Sequence, residues 1–323
     1  MMIRCWCIVV ALLACPAVSA AQTYPDRPVR IISGLLAGTS GDMAGRMLAE
    51  KLSIQMQQPV VFENRPGANG QIAAKTLKQS APDGYNLLFT ASSTMVSAPL
   101  ISASAGFDVF TDFVPITQAV AAPLYLVVNA ETGISNTQGL VEYARKNPDK
   151  LNYGSVGRGS VFHFQGEAMN TATGTRMVHV PYAASNMSNI IGDLLANRLQ
   201  VFFPAYSTIV GVLPLRKVTL LGVFANQRLS QRPELATVQE AIPGLTTVPS
   251  WFGLFGPAGL NPMTVARLES EVRIALQDPD VVRRLEDVGM TPLGTTASAM
   301  AAQLQRQTHE MKQLADRIGL RPE

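Results

Sequence analysis

The chain has 323 residues, 47% hydrophobic and 15% charged, with three cysteines and a formal net charge of +3. That length and apolar content suit two α/β domains, and a modest charge without a basic cluster argues against a nucleic-acid partner. Cys5, Cys7 and Cys15 all precede residue 21, so a chain cut after Ala20 has no disulfide, thiolate metal site or cysteine nucleophile.

In chain order, Arg4 precedes an apolar run over residues 5–18, and Val18-Ser19-Ala20 supplies small residues ahead of Ala21. This is the layout of a cleaved secretory signal peptide over residues 1–20, and the run is too short to span a bilayer. Leu12-Leu13-Ala14-Cys15 also loosely resembles a lipobox, which would make Cys15 a lipid anchor instead. A soluble, exported, periplasmic chain is expected.

Residues 29–32 form a short run that is apolar but for Arg30, of the kind a buried parallel strand needs, and Met43, Met47, Leu48 and Leu52 then recur at helical spacing over 42–56. Between them lies a glycine turn. Gly38 and Gly41 allow tight turning, and Thr39, Ser40 and Asp42 are candidates to cap the helix. Such a helix start presents unpaired N–H groups and a positive dipole end, which suits a carboxylate; an ordinary strand-to-helix turn would read the same way. Strands over 59–63 and 86–90 and a helix over 69–79, capped at Asn69, complete a βαβαβ half of an open parallel sheet. Ser92, Ser93 and Thr94 sit just past the third strand, at the sheet edge where ligands collect. Glu63 and Arg65 read as structural.

From residue 107 the pattern changes. Strands are expected over 116–120 and 124–129 and a helix over 137–146. A second set follows: strand 151–155, helix 161–170, strand 177–182, helix 186–196, strand 199–203. Residues 217–224 form a returning strand, and helices are expected over 263–277, 280–288 and 298–318. The result is an α/β, two-lobed protein with two open sheets, flanking helices and a ligand cleft between lobes. The first lobe takes 21–122 and 225–323, the second 123–224, with crossings near 121–123 and 223–226.

A second glycine turn, Ser155-Val156-Gly157-Arg158-Gly159-Ser160, precedes the helix that carries His163. Ser155 and Ser160 offer hydroxyls, and Arg158 can pair with a carboxylate or be a solvated loop residue. His163 reads foremost as a helix-packing residue. The glycine order is G-x-x-G-x-G, not the dinucleotide fingerprint, and G-x-S-x-G, P-loop and His-Glu-x-x-His motifs are absent.

From Tyr24-Pro25-Asp26-Arg27-Pro28 onward the chain resembles the Bug-type substrate-binding proteins of tripartite tricarboxylate transporters. The matching segments are residues 63–70, Ala81-Pro82-Asp83-Gly84-Tyr85, residues 151–160, His179-Val180-Pro181-Tyr182 and Trp251-Phe252-Gly253-Leu254. The resemblance implies a monomeric, non-enzymatic receptor without cofactor or metal. It would close its lobes on a small di-/tricarboxylate or aromatic acid and hand it to integral-membrane permease subunits. The family's binding loops fall on Gly38 to Asp42, Ser92 to Thr94 and Ser155 to Ser160; Leu36, Gly159, His163 and Tyr182 complete the candidate contacts.

Three departures bear on the ligand. The first loop carries Leu35-Leu36 where the family is proline-rich with paired glycines. Ala183-Ala184 replaces the common Lys-Gly, and Pro204 stands where an Asp commonly lies. Loss of that carboxylate argues against an amino-acid ligand. Rival readings are a receptor that reports to a signalling sensor, an exported hydrolase using Ser160 or Ser93, and the related bilobal effector domain of LysR-type regulators. The signal peptide and the lack of a helix-turn-helix segment count against the last.

Overall fold

The structure, a computed structural model, describes residues 24–102, 105–183 and 187–322; the signal-peptide and lipobox readings lie outside them. Eleven strands are present among the described residues: β1 Val29–Ser33, β2 Val60–Asn64, β3 Asn86–Ala91, β4 Phe113–Ala121, β5 Tyr125–Asn129, β6 Asn152–Ser155, β7 Val178–Pro181, β8 Val201–Phe202, β9 Val218–Val223, β10 Trp251–Pro257 and β11 Thr291–Pro292. The α-helices are α1 Ser40–Met56, α2 Gln71–Lys78, α3 Ala98–Ile101, α4 Thr137–Lys146, α5 Val161–Thr173, α6 Met187–Leu195, α7 Tyr206–Ile209, α8 Val238–Ala241, α9 Pro262–Ala275, α10 Pro279–Asp287 and α11 Ala297–Arg317. None is long and apolar enough to cross a membrane.

The strands form two sheets, one per lobe. The first runs β11-β4-β10-β3-β1-β2 and the second β7-β6-β8-β5-β9. In the first, β1 pairs in parallel with β2 and β3, while β10 is antiparallel to both β3 and β4. The carboxyl ends of β1, β2, β3 and β4 therefore share one edge. That edge faces the second lobe.

Side-chain alternation explains the layering. Ile31 and Leu87 point to one face of the first sheet, where Met47, Leu48 and Leu52 of α1 and Leu268 and Val272 of α9 cover them. Ile32 and Leu88 point to the other. The apolar cluster on that second face does not stop at the lobe boundary. It continues through Met95 and Val96 to Phe164 and Phe203 in the second lobe, and α11 lies against both β4 and α5.

Two expectations need correcting. The helix over 69–79 begins later, at Gln71, because Asn69 and Gly70 are left-handed (φ 52° and 83°); Gly70 stands at the N-cap, and Asn69 caps nothing. The second concerns residues 225–242, which the sequence reading grouped with the first lobe. Here they pack on the second sheet: Val223 bridges to Thr237, Leu229 enters the second lobe's core, and α8 lies against α4 and β9. Segment 225–242 carries too few apolar residues at either period to announce a partner sheet.

Candidate functional site

Three turns from the shared edge of the first sheet touch one another through glycines. A Cβ built on Gly34 would lie 2.4 Å from Gly70 Cα, and one on Gly70 would lie 2.5 Å from Thr94 Oγ1. Close approach at these positions requires glycine. Thr94, buried, donates its hydroxyl proton to Asn69 O (2.9 Å), which joins the turn after β2 to the segment after β3. Ser92 is engaged as well, donating to Pro249 O (3.2 Å), whereas Ser93 is half-buried.

The turn before α1 is built around one carboxylate. Thr39 is the N-cap and accepts from the Asp42 amide at 3.3 Å. Asp42 is 2% exposed, and its oxygens accept from Gly38 N (2.9 Å), Arg46 Nε (3.1 Å) and Asn64 Nδ2 (2.8 Å). Burial alone would raise its pKa, but these donors outweigh it and hold the carboxyl below its usual range. Asp42 thus holds the turn in shape instead of presenting its carboxylate outward. The tip is open: Leu36, Ala37, Gly38 and Thr39 are exposed, and Ser40 is half-buried. Beneath it, Gly41 packs on Phe252, where a Cβ would lie 2.4 Å from the ring, and Phe252 stacks on Phe89 with centroids 6.0 Å apart.

The turn before α5 is built without a carboxylate. Ser160 caps the helix by accepting from His163 N (3.3 Å), and Gly159 N donates to His163 Nδ1 (2.9 Å). That acceptor role fixes His163 as the neutral imidazole protonated at Nε2. Ser155, fully buried, lies 2.6 Å from His179 Nε2 and donates to Gly157 O at 3.0 Å. One hydroxyl proton serves one acceptor at a time, so the His179 tautomer decides which. The two imidazoles stack with centroids 4.0 Å apart, and Tyr153 stacks on His179 at 5.1 Å. Burial lowers His163 to about 3, reinforced by His179 and Arg158, and burial with Arg158 lowers His179 to about 4. Tyr182 is committed on both sides: its amide donates to Ser155 O (2.8 Å) and its hydroxyl to Asp193 (2.5 Å). Arg158 remains exposed at the tip.

The lobes meet at this turn. A Cβ on Gly159 would lie 2.3 Å from Ile101 Cγ2 of α3, so α3 of the first lobe rests on the turn of the second. The structure thus brings the 155–160 turn against the segment after β3. It engages most of the predicted hydroxyls in shaping the turns, with helix starts on both lobes and Arg158 exposed at the second tip. Sequence reasoning missed His179, Ile101, Phe252 and Asn64. His179, Asn64 and Phe252 stood inside quoted segments without being singled out as site residues; Ile101 carries no local signal. Among the described residues no group of three His, Cys, Asp or Glu side chains could hold a metal.

A family model described as "Tripartite tricarboxylate transporter family receptor" matches residues 44–320. A relative from Bordetella bronchiseptica is 31% identical over 97% of this chain and 92% of its own length. Among solved structures, Rpa4515 of R. palustris with adipate is 26% identical at a TM-score of 0.80, covering 93% of this chain and all of that one. The periplasmic binding protein BugD is 27% identical at a TM-score of 0.75, again over 93% of this chain and 100% of that one.

Proposed function

The chain belongs to the receptor family of the tripartite tricarboxylate transporters, and on that premise we propose that it is a periplasmic solute receptor, exported by its signal peptide, that closes on a small carboxylate and delivers it to membrane permease subunits. The observation that carries this reading is the pair of capped helix starts, Thr39 on α1 and Ser160 on α5, one on each lobe, with the lobes touching at Ile101 and Gly159. Each start offers amides and a positive dipole end to an anion. Arg158 adds a cation at the second turn. We draw the lobes as before, with residues 225–242 assigned to the second.

The ligand class follows from what surrounds the turns. Leu36 at 57% exposure and the Phe252 ring beneath Gly41 give the first lobe's side an apolar character. Of the nearby carboxylates, Asp42 is buried in its network and Asp193 is taken by Tyr182 and Arg198. Neither of these two carboxylates stands ready to pair with an ammonium group, which favours a carboxylate without an amine. Adipate, bound in the structure of a relative, is such a molecule.

The hydrolase reading gains a Ser–His pair at Ser155 and His179, yet Ser155 is fully buried and His179 is a weak base at about 4. We read the pair as a brace. Calorimetric titration of residues 21–323 with adipate, citrate, benzoate, aspartate and glutamate tests the assignment. A non-amino acid should bind, and Arg158→Ala should weaken it about tenfold, the loss of one charge-assisted hydrogen bond. Tighter binding of aspartate or glutamate than of every other acid would overturn the ligand class.

A further inference from the structure

With residues 225–242 placed on the second lobe, the chain passes between the lobes twice, from β4 into β5 and from α8 into β10. Any movement of one lobe on the other has to be absorbed in these two crossings. Each holds a proline where the chain leaves the hydrogen bonds of one lobe for those of the other, Pro123 in the first and Pro249 in the second. The change is sharpest at Pro249. Val248 N donates to Gln165 Oε1 (3.1 Å), on α5 of the second lobe. One residue later, Pro249 O accepts from two groups of the first lobe, Gln307 Nε2 on α11 (2.7 Å) and Ser92 Oγ just past β3 (3.2 Å). Both glutamines are buried, Gln165 fully and Gln307 at 2% exposure. Trp251 orients Gln307, its Nε1 donating to Gln307 Oε1 (2.8 Å). The Val248 amide, which needs an acceptor, orients Gln165, whose Nε2 has no partner among the described residues; Gln165 therefore holds the crossing by one bond.

At Pro123 the order is reversed. Ala122 N donates to Ser250 O (2.8 Å) on the first lobe's side of its crossing, while Leu124 bridges to Ala205 and accepts from Phe224 N (2.8 Å) on the second lobe. Proline offers no N–H with which either lobe could hold the junction, and its ring fixes φ at about −65°. The residue ahead of each proline, Ala122 or Val248, is kept out of the helical region by the same ring. Rotation is left to a few ψ angles at two neighbouring points, so the lobes swing along a narrow path.

We propose that Pro123 and Pro249 are the paired pivots of lobe closure, and that Gln165 and Gln307 are positioning residues for ligand capture, which touch no ligand and set how widely the ligand-free lobes part. Ser92 ties the second pivot to the site, because the segment it heads runs into α3, where Ile101 meets Gly159. A ligand drawn between the facing turns selects the arrangement in which the bonds on either side of Pro249 are made. Loosening either crossing lowers the share of molecules competent to bind, and apparent affinity falls with that share. The effect on affinity rests on the reading of the facing turns as a carboxylate site; the pivot itself does not.

The chain after residue 20 has no cysteine, so Glu50→Cys on α1 and Lys146→Cys on α4, both at exposed positions, take one nitroxide per lobe in residues 21–323. The distribution of distances between the labels is measured without ligand and with saturating adipate, and adipate affinity is measured by calorimetry on the unlabelled chains. In the parent, adipate should narrow the distribution. Pro249→Ala, which keeps the carbonyl but frees φ, should widen the ligand-free distribution about 1.5-fold and weaken adipate about threefold, and Gln165→Leu and Gln307→Leu should do the same. Pro262→Ala, exposed at the start of α9, should change neither. A ligand-free distribution unchanged in Pro249→Ala would overturn the pivot. A glutamine variant that loses stability with its distribution unchanged would overturn the positioning role of that residue. Adipate binding with no change in the parent's distribution would overturn the link between pivot and capture. Widening in Pro249→Ala, in a chain that binds neither adipate, citrate nor benzoate, would sustain the pivot and sink the carboxylate reading instead.

Discussion

The turns that open α1 and α5 are the same device built from different materials. Both place a glycine of positive φ just ahead of a hydroxyl N-cap, Gly38 (80°) before Thr39 and Gly159 (70°) before Ser160. The first is braced by a buried charge, Asp42, which collects an amide, an amide side chain and a guanidinium, and its tip stands exposed. The second is braced by two neutral imidazoles and a buried serine, and its glycine is covered by the other lobe. An ionic brace tolerates acid until its carboxylate protonates. A neutral imidazole brace fails as soon as protonation removes the acceptor that holds Gly159 N.

Substituting the paired glycines gives the widest contrast. Gly159→Ala meets Ile101 at 2.3 Å and also strains φ, so it should cost about 2–5 kcal/mol in closure or stability, read as at least a tenfold loss of adipate affinity. Ile101→Ala in the same chain should recover most of the steric part. If it recovers none, the two residues do not meet during binding. Next in size is Asp42→Ala, which strands Gly38 N, Asn64 and Arg46 without their acceptor. A loss of about 2–3 kcal/mol in urea unfolding is expected, with adipate affinity falling in parallel as the turn loosens.

The imidazole brace predicts a pH dependence whose sign is fixed. Both histidines have folded pKa values, about 3 and about 4, below the ordinary 6.5, so the unfolded chain binds more protons between those limits. Their contribution is complete above about pH 6.5 and is lost as pH falls toward 4 and then 3. Arg158, at the turn, disfavours protonation of both rings, while Glu167 is occupied by the Tyr153 hydroxyl. His179→Gln retains a donor toward Ser155 but does not titrate. It should flatten the stability profile between pH 6.5 and 4 by about 1–2 kcal/mol relative to the parent chain; identical profiles would remove His179 from the brace. The smallest effect belongs to Gly38→Ala, where a Cβ meets nothing within 4 Å. Only the left-handed backbone is penalised, about 1 kcal/mol.

Much of this was legible in the sequence because it is local. The strands over 29–32 and 86–90, the helix after Gly41 and its cap among Thr39, Ser40 and Asp42 follow from periodicity and capping chemistry within a few residues. The role of Asp42 was half legible. Its place at a helix start and the arginine four residues on were local, but the amide of Asn64 that also binds its carboxylate lies one strand further on. His179 was invisible as a brace because its partners, Ser155 and His163, come from a different strand and helix. Residues 225–242 were grouped with the first lobe although they pack on the second sheet, for the same reason, since nothing within the segment names the surface that covers it.

The sequence by itself determined two α/β halves, two glycine turns heading helices and the family resemblance, all of which rest on spacing along the chain. The tertiary structure decided which groups are consumed in holding those turns and where the lobes touch. Those outcomes depend on the approach of residues far apart in the chain, such as Gly159 and Ile101. Burial and hydrogen bonding across such separations are fixed by packing of the whole chain, and no local pattern encodes them.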